Sequence, residues 1–194
     1  MKLRTIILGA IVTSGIAAYA QEATTPRLET GLNYTLTYNN SGGSLGSYTT
    51  NGGSGFVEYN LNHAVGLVAD LGANYTGTVN GVPIDNTTFT YLFGPRFNWR
   101  TSRVTLYMQT LVGGARFSNA FDPGSPAPSQ GISENTFAAA IGGGVDVRLT
   151  DHIAIKPIQL EYLMTQLPST FVNVNQVQNN MRYSAGVVFR LGSK

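Results

Sequence analysis

The chain has 194 residues, no cysteine and 23 glycines, and only 11% of it is Asp, Glu, Lys or Arg, less than half of the roughly 25% usual in soluble domains, which excludes a highly charged nucleic-acid binder. Apolar content of 42% with a mean hydropathy near zero excludes both a disordered polar chain and a bundle of apolar transmembrane helices. The formal charge of +2 is carried by Lys2 and Arg4, because without them ten basic residues face ten acidic ones.

Lys2 and Arg4 precede an apolar run from Ile6 to Val12 that continues through Ala17 and Ala18 and closes on Ala18-Tyr19-Ala20. A charged start, a short apolar stretch and an A-x-A end predict a cleaved export signal over 1–20, followed by one domain over 21–194. Thr13, Ser14 and Gly15 interrupt the run, which leaves it short of the ~18 apolar residues a membrane anchor needs. With no cysteine after the cut, the exported chain has neither a lipid anchor nor disulfides to stabilise it.

From Glu29 onward the hydrophobic period is two, and no helical stripe is sustained. The alternation predicts strands over 29–38, 54–62, 64–76, 87–98, 103–117, 135–149, 153–166 and 180–192. The connections alternate in kind. Asn62-His63, Trp99 to Ser102 and Thr150 to His152 are tight, whereas 39–53, 77–86, 118–134 and 167–179 are polar and rich in Gly, Ser, Asn and Pro. Asn51-Gly52-Gly53 supplies turn conformers, and the prolines of 122–128 cannot donate to a ladder. Eight long strands with short turns at one end and long loops at the other predict an all-β fold, an eight-stranded antiparallel up-and-down transmembrane β-barrel.

Split by alternate residues, one face reads Leu32, Tyr34, Leu36, Tyr38 in the first strand and Met181, Tyr183, Ala185, Val187, Phe189, Leu191 in the last. That face carries no charge anywhere. The other holds Glu29, Glu58, Asp70, Arg96, Arg103, Asp146, Arg148, Arg182 and Arg190 with many glycines, and a phase slip near Pro157 adds Lys156, Gln159 and Glu161 to it. A soluble lipocalin-like barrel would bury the apolar face instead, but eight strands enclose too little volume for that set. Acids and bases therefore meet in the lumen, with pairs expected among Arg96, Arg148 or Arg182 and Glu58, Asp70 or Glu161. Aromatic girdles are expected at the long-loop end from Tyr38, Phe56, Tyr75, Phe89, Tyr91, Phe117, Phe137, Tyr162 and Tyr183, and at the short-turn end from Phe97, Trp99 and Phe189.

The signal ending, Phe93-Gly94-Pro95-Arg96-Phe97, Leu111-Val112-Gly113-Gly114-Ala115, Ala140-Ile141-Gly142-Gly143-Gly144-Val145-Asp146 and the closing run Arg182 to Arg190 together resemble the small OmpA-like and OmpX-like outer-membrane barrels of Gram-negative bacteria. The resemblance spans the whole mature chain. It implies that the last strand, through Tyr183, Val187 and Phe189, is read by the barrel-assembly machinery, although five residues follow Phe189. It also implies outer-membrane lipid and lipopolysaccharide as surroundings. The chain ends at the barrel, so no cell-wall-binding domain is expected.

For chemistry, a serine nucleophile needs a base within reach, and His63 and His152 both fall in short turns, away from the Ser-rich loops. The glycine clusters lie within strands and lack a following Lys-Ser or Lys-Thr. No metal-ligand spacing, cofactor motif or nucleic-acid surface is present. The expected role is structural or surface-interacting, with a plugged lumen and loops free to bind an extracellular ligand. The alternatives are a narrow pore or an adhesion barrel, and, less favoured, a lipid-modifying enzyme.

Overall fold

The computed structural model describes residues 25–40, 47–79, 82–120, 132–167 and 176–193; the export signal expected over 1–20 and the proline-rich run 122–128 lie outside them. Eight strands follow in chain order: β1 (Pro26–Asn40), β2 (Ser47–Asn60), β3 (Val65–Val79), β4 (Val82–Arg100), β5 (Val104–Ala120), β6 (Ile132–Arg148), β7 (Ile153–Leu167) and β8 (Gln176–Ser193). Each is antiparallel to its sequence neighbour, and β1 closes on β8 from Pro26↔Ser193 to Asn40↔Asn179. Closure leaves no sheet edge unpaired.

The predicted alternation is the burial pattern of the strands. In β1 Leu32 is 69% exposed while Thr35 is fully buried. The outer wall is thus the apolar face, with Leu71, Phe93, Met108, Ile141 and Leu160 all exposed. Polar side chains seed the three short turns by bonding the backbone two or three residues on. Asn62 Oδ1 accepts from the amides of Ala64 and Val65, both at 2.8 Å. Thr101 Oγ1 accepts from Val104 N at 3.0 Å and Thr150 Oγ1 from Ile153 N at 3.0 Å.

The strands run further toward the long-connection end than the sequence predicts. Asn51, Gly52 and Gly53, expected in a loop, lie within β2 and pair with Leu36, Thr35 and Tyr34. Glycine is needed at 52 because a Cβ there would collide with the carbonyl of Ala73 on β3. Of the expected 77–86 loop, residues 77–79 and 82–86 belong to strands, and Val79 pairs with Val82 after an irregularity at Thr76/Thr78. These polar ends keep the ladder because their backbone groups need partners whatever their side chains face. The slip expected near Pro157 is present: the β7–β8 register shifts between Lys156 and Gln159, and Pro157 and Ile158 both face outward.

Two of the expected girdle residues belong inside. Phe56 and Phe117 are 3% and 4% exposed, because each stands in phase with inward neighbours, Glu58 for one and Ala115 for the other. The remaining members of both girdles, Trp99 among them, are on the outer wall.

Candidate functional site

The lumen is where the sequence concentrates its chemistry. Its charged part draws on seven strands: Glu29 from β1, Glu58 from β2, Asp70 from β3, Arg96 and Arg100 from β4, Asp146 from β6, Lys156 and Glu161 from β7, and Arg182 and Arg190 from β8. Five acids thus face five bases in a space closed to solvent. Burial of an ionised group is tolerated only with a partner and satisfied hydrogen bonds, and for eight of the ten the contacts supply partners as one relay.

The relay starts near the short-turn end, where Arg190 Nε donates to Glu29 Oε1 at 3.2 Å. Arg100 Nη2 donates to Glu29 Oε2 at 2.9 Å and to Asn60 Oδ1 at 2.8 Å, and lies 3.8 Å from Glu58 Oε1. Glu58 also accepts from Asn98 Nδ2 at 2.7 Å and Arg96 Nη1 at 2.8 Å. Gln109, neutral but both donor and acceptor, carries the relay across β5: Arg96 Nε donates to its Oε1 at 2.9 Å, and its Nε2 donates to Glu161 Oε1 at 2.7 Å. Arg182 then donates from Nε to Glu161 Oε2 at 2.7 Å and from Nη1 to Asp70 Oδ1 at 3.1 Å.

Beside the relay, aromatic faces hold cations. Lys156 Nζ sits 3.9 Å from the centre of the Phe56 ring and donates to Gln159 Oε1 at 3.0 Å. The Arg96 guanidinium lies 4.0 Å from the Tyr107 ring and 5.0 Å from Phe56. In a desolvated site such contacts are each worth about 2 kcal/mol. The Tyr107 hydroxyl donates to Gln159 Oε1 at 2.6 Å, and its ring covers Gly144 directly opposite on β6. On the outer wall Tyr91 covers Gly114 in the same way. The glycine runs therefore make room for tyrosine rings.

Toward the long-connection end charge gives way to neutral polar groups. Asn39 Nδ2 donates to Thr50 Oγ1 at 3.2 Å, Asn180 Nδ2 to Thr165 Oγ1 at 3.2 Å, and Gln178 Nε2 to the Tyr48 hydroxyl at 3.4 Å. A cavity of about 10 Å³ lies among Thr37, Asn74, Thr90, Phe117, Leu163 and Asn180. Thr37 Oγ1, Thr90 Oγ1 and Asn180 Oδ1 have no hydrogen-bond partner among the described residues, and the space holds about one water.

Of the residues singled out from sequence, Glu58, Arg96, Glu161, Asp70 and Arg182 meet in the relay, and Arg190 joins through Glu29. Lys156 and Asp146 are buried beside it, Asp146 with Oδ1 unpartnered among the described residues. Arg148 is half-buried at the short-turn mouth, outside the expected pairs. Arg103 is a correction: it is exposed in the turn before β5, because a turn residue has water available and no wall to force it inward. Its lumen place is taken by Arg100, whose side chain is 1% exposed. Arg100 shares the phase of Arg96 and Asn98, so carrying β4 two residues further would have found it. Tyr183, Val187 and Phe189 stand on the outer wall of β8. His63 and His152 are exposed in short turns, with His63 Nδ1 2.9 Å from Thr25 Oγ1. Among the described residues no group of three or more His, Cys, Asp or Glu is placed to hold a metal. The arrangement fills the lumen with paired side chains.

The sequence matches a family model described as outer membrane protein beta-barrel domain over residues 6–190. No curated protein matches it. Among solved structures, Neisserial surface protein A is similar with a TM-score of 0.66 at 16% identity, covering 84% of this chain and 97% of that one. Ail, the attachment invasion locus protein of Yersinia pestis, gives 0.58 at 14%, with 86% and 99% covered. The outer membrane protein OprG of Pseudomonas aeruginosa gives 0.56 at 9%, with 88% and 98% covered. At these identities the likeness is one of fold.

Proposed function

Because the chain belongs to the outer membrane protein β-barrel domain family, we propose that it acts as a sealed barrel of the outer membrane, exported across the inner membrane, whose role is structural and surface-interacting and not catalytic. The short turns then face the periplasm and the longer connections the exterior. One observation carries the reading: a continuous relay from Arg190 to Asp70 that crosses the lumen and spends its charges on one another. An eight-stranded barrel has room for its own side chains or at most one small ligand, and here the charged side chains are bonded together. Function then falls to what the barrel shows. Outward face the long-connection ends of the strands, where polar side chains such as Asn39, Tyr48, Asn179 and Gln178 cluster and suit adaptable contacts, and one structural neighbour is named for attachment. Sideways go the apolar wall, which sits in lipid and lipopolysaccharide, and β8, whose Tyr183, Val187 and Phe189 we assign to recognition by the assembly machinery. Planar-bilayer recordings on refolded protein test the seal. No stable open level is expected, and a reproducible large conductance would overturn it.

A further inference from the structure

The outer wall, expected from its alternation to carry no charge, carries almost none. Among the described side chains only two ionised groups face outward from the strands, Arg27 near the short-turn end and Arg116 near the long-connection end. A lipid-facing arginine is disfavoured by about 2–4 kcal/mol at mid-membrane but by only about 0–1 near the boundary, so both sit where phosphates are found. Their settings differ. Arg27 lies against Tyr59, with its guanidinium carbon 5.8 Å from the ring centre and Nε and Nη2 3.4 Å from the hydroxyl. Among the described residues Arg116 is held only through Nε, which donates to Ser133 Oγ at 2.7 Å, while Ser118 Oγ stands 3.5 Å from the same oxygen.

We propose that Arg116, with Ser118, Ser133 and Asn135, forms a headgroup site for a phosphorylated glycolipid of the outer leaflet. The serine contact fixes the guanidinium plane and leaves both Nη groups without a partner among the described residues, the fork that grips a phosphate with two parallel bonds. Ser118, Ser133 and Asn135 are exposed on the same outward patch and offer hydroxyl and amide groups to a sugar. Directly beside and below lie Phe89, the cross-strand partner of Arg116, and Phe137, one outward step below its other partner Asn135; they form an apolar floor for acyl chains. A phosphate above, sugar hydroxyls alongside and acyl chains beneath describe a glycolipid headgroup better than a bare phosphodiester. The site rests on the orientation given above, with the long connections outward.

The test is native mass spectrometry of the full refolded chain in zwitterionic micelles, titrated with bisphosphorylated lipid A, its dephosphorylated form and phosphatidylglycerol. Heat-shifted gel mobility confirms that each variant is folded. The structure predicts tight retention of one bisphosphorylated lipid A, weaker retention of the other two, and about a tenfold loss in R116Q, in line with removal of a charged hydrogen-bond pair, with R116K intermediate and R27Q unchanged. Wild-type affinity in R116Q, an equal loss in R27Q, or equal retention of the dephosphorylated lipid or of phosphatidylglycerol would overturn the proposal. A conducting wild-type barrel would sink the sealed-lumen reading and leave this titration untouched.

Discussion

Arg182 is fully buried between two carboxylates, and its removal leaves Asp70 and Glu161 facing each other without their cation. Arg182→Met is expected to destabilise the barrel by about 3–5 kcal/mol, the cost of an uncompensated buried charge, read as a lower urea midpoint for unfolding from lipid vesicles. Arg103→Met, in the exposed turn, is expected to stay within about 0.5 kcal/mol of wild type. An equal effect of the two would mean that the relay does not bear on stability. Removing both members of one pair, Arg96→Met with Glu58→Leu, should cost less than Glu58→Leu alone, because the double variant leaves Arg96 no longer stranded. At Gly144 a side chain would run into the Tyr107 ring, and Gly144→Val is expected to cost about 1–3 kcal/mol of overpacking. At this scale the sequence reveals which residues are inside, since phase alone separates Thr35 from Leu32. Partners are not legible: Glu29 meets Arg100 across 71 positions of sequence, and only barrel closure brings them together. Gln109 was invisible for a different reason, because a neutral amide announces no role until an arginine and a glutamate stand on either side of it.

The strands carry a second kind of evidence, in where their ends fall. Alternation located all eight, because apolar residues mark the stretch that meets lipid. Their outer extensions were hidden because Asn51-Gly52-Gly53 and the polar residues of 82–86 have turn chemistry yet remain paired. The Asn80-Gly81 dipeptide in the sequence is the residue pair that two-residue hairpins favour, a sign that the pairing of β3 with β4 continues out to Val79 and Val82. The bulge in β7 was legible because Pro157 cannot donate to the ladder and the apolar phase inverts across it. The lipid-facing reading of the wall predicts a depth dependence along one strand and its ends. Ile141→Arg, midway along β6, should destabilise by about 2–4 kcal/mol, and Leu191→Arg, near the end of β8, by about 0–1, measured in the same urea titrations. Equal costs at both positions would contradict a membrane around this wall.

For the molecule as a whole, the low charge content and the fold are one fact. A chain that turns its apolar face to lipid has only its lumen and its ends for ionised groups, and the lumen accepts them only in balance, as the five acids and five bases within it show. Fold and location could be reached from sequence because period, turn asymmetry and composition all constrain the same barrel. The outer-wall arginine at 116 is not legible in the sequence, since a single charge in a polar strand end looks like any solvated residue until its outward phase and its serine neighbours are seen together. The account's central claim is that this is a closed barrel with its apolar wall in a membrane, and gel mobility of the refolded chain in SDS before and after boiling tests it most directly. The unboiled protein should run as a distinct compact band that shifts to the mobility of the unfolded chain on heating, whereas identical mobility with and without boiling, together with solubility in detergent-free buffer, would contradict it.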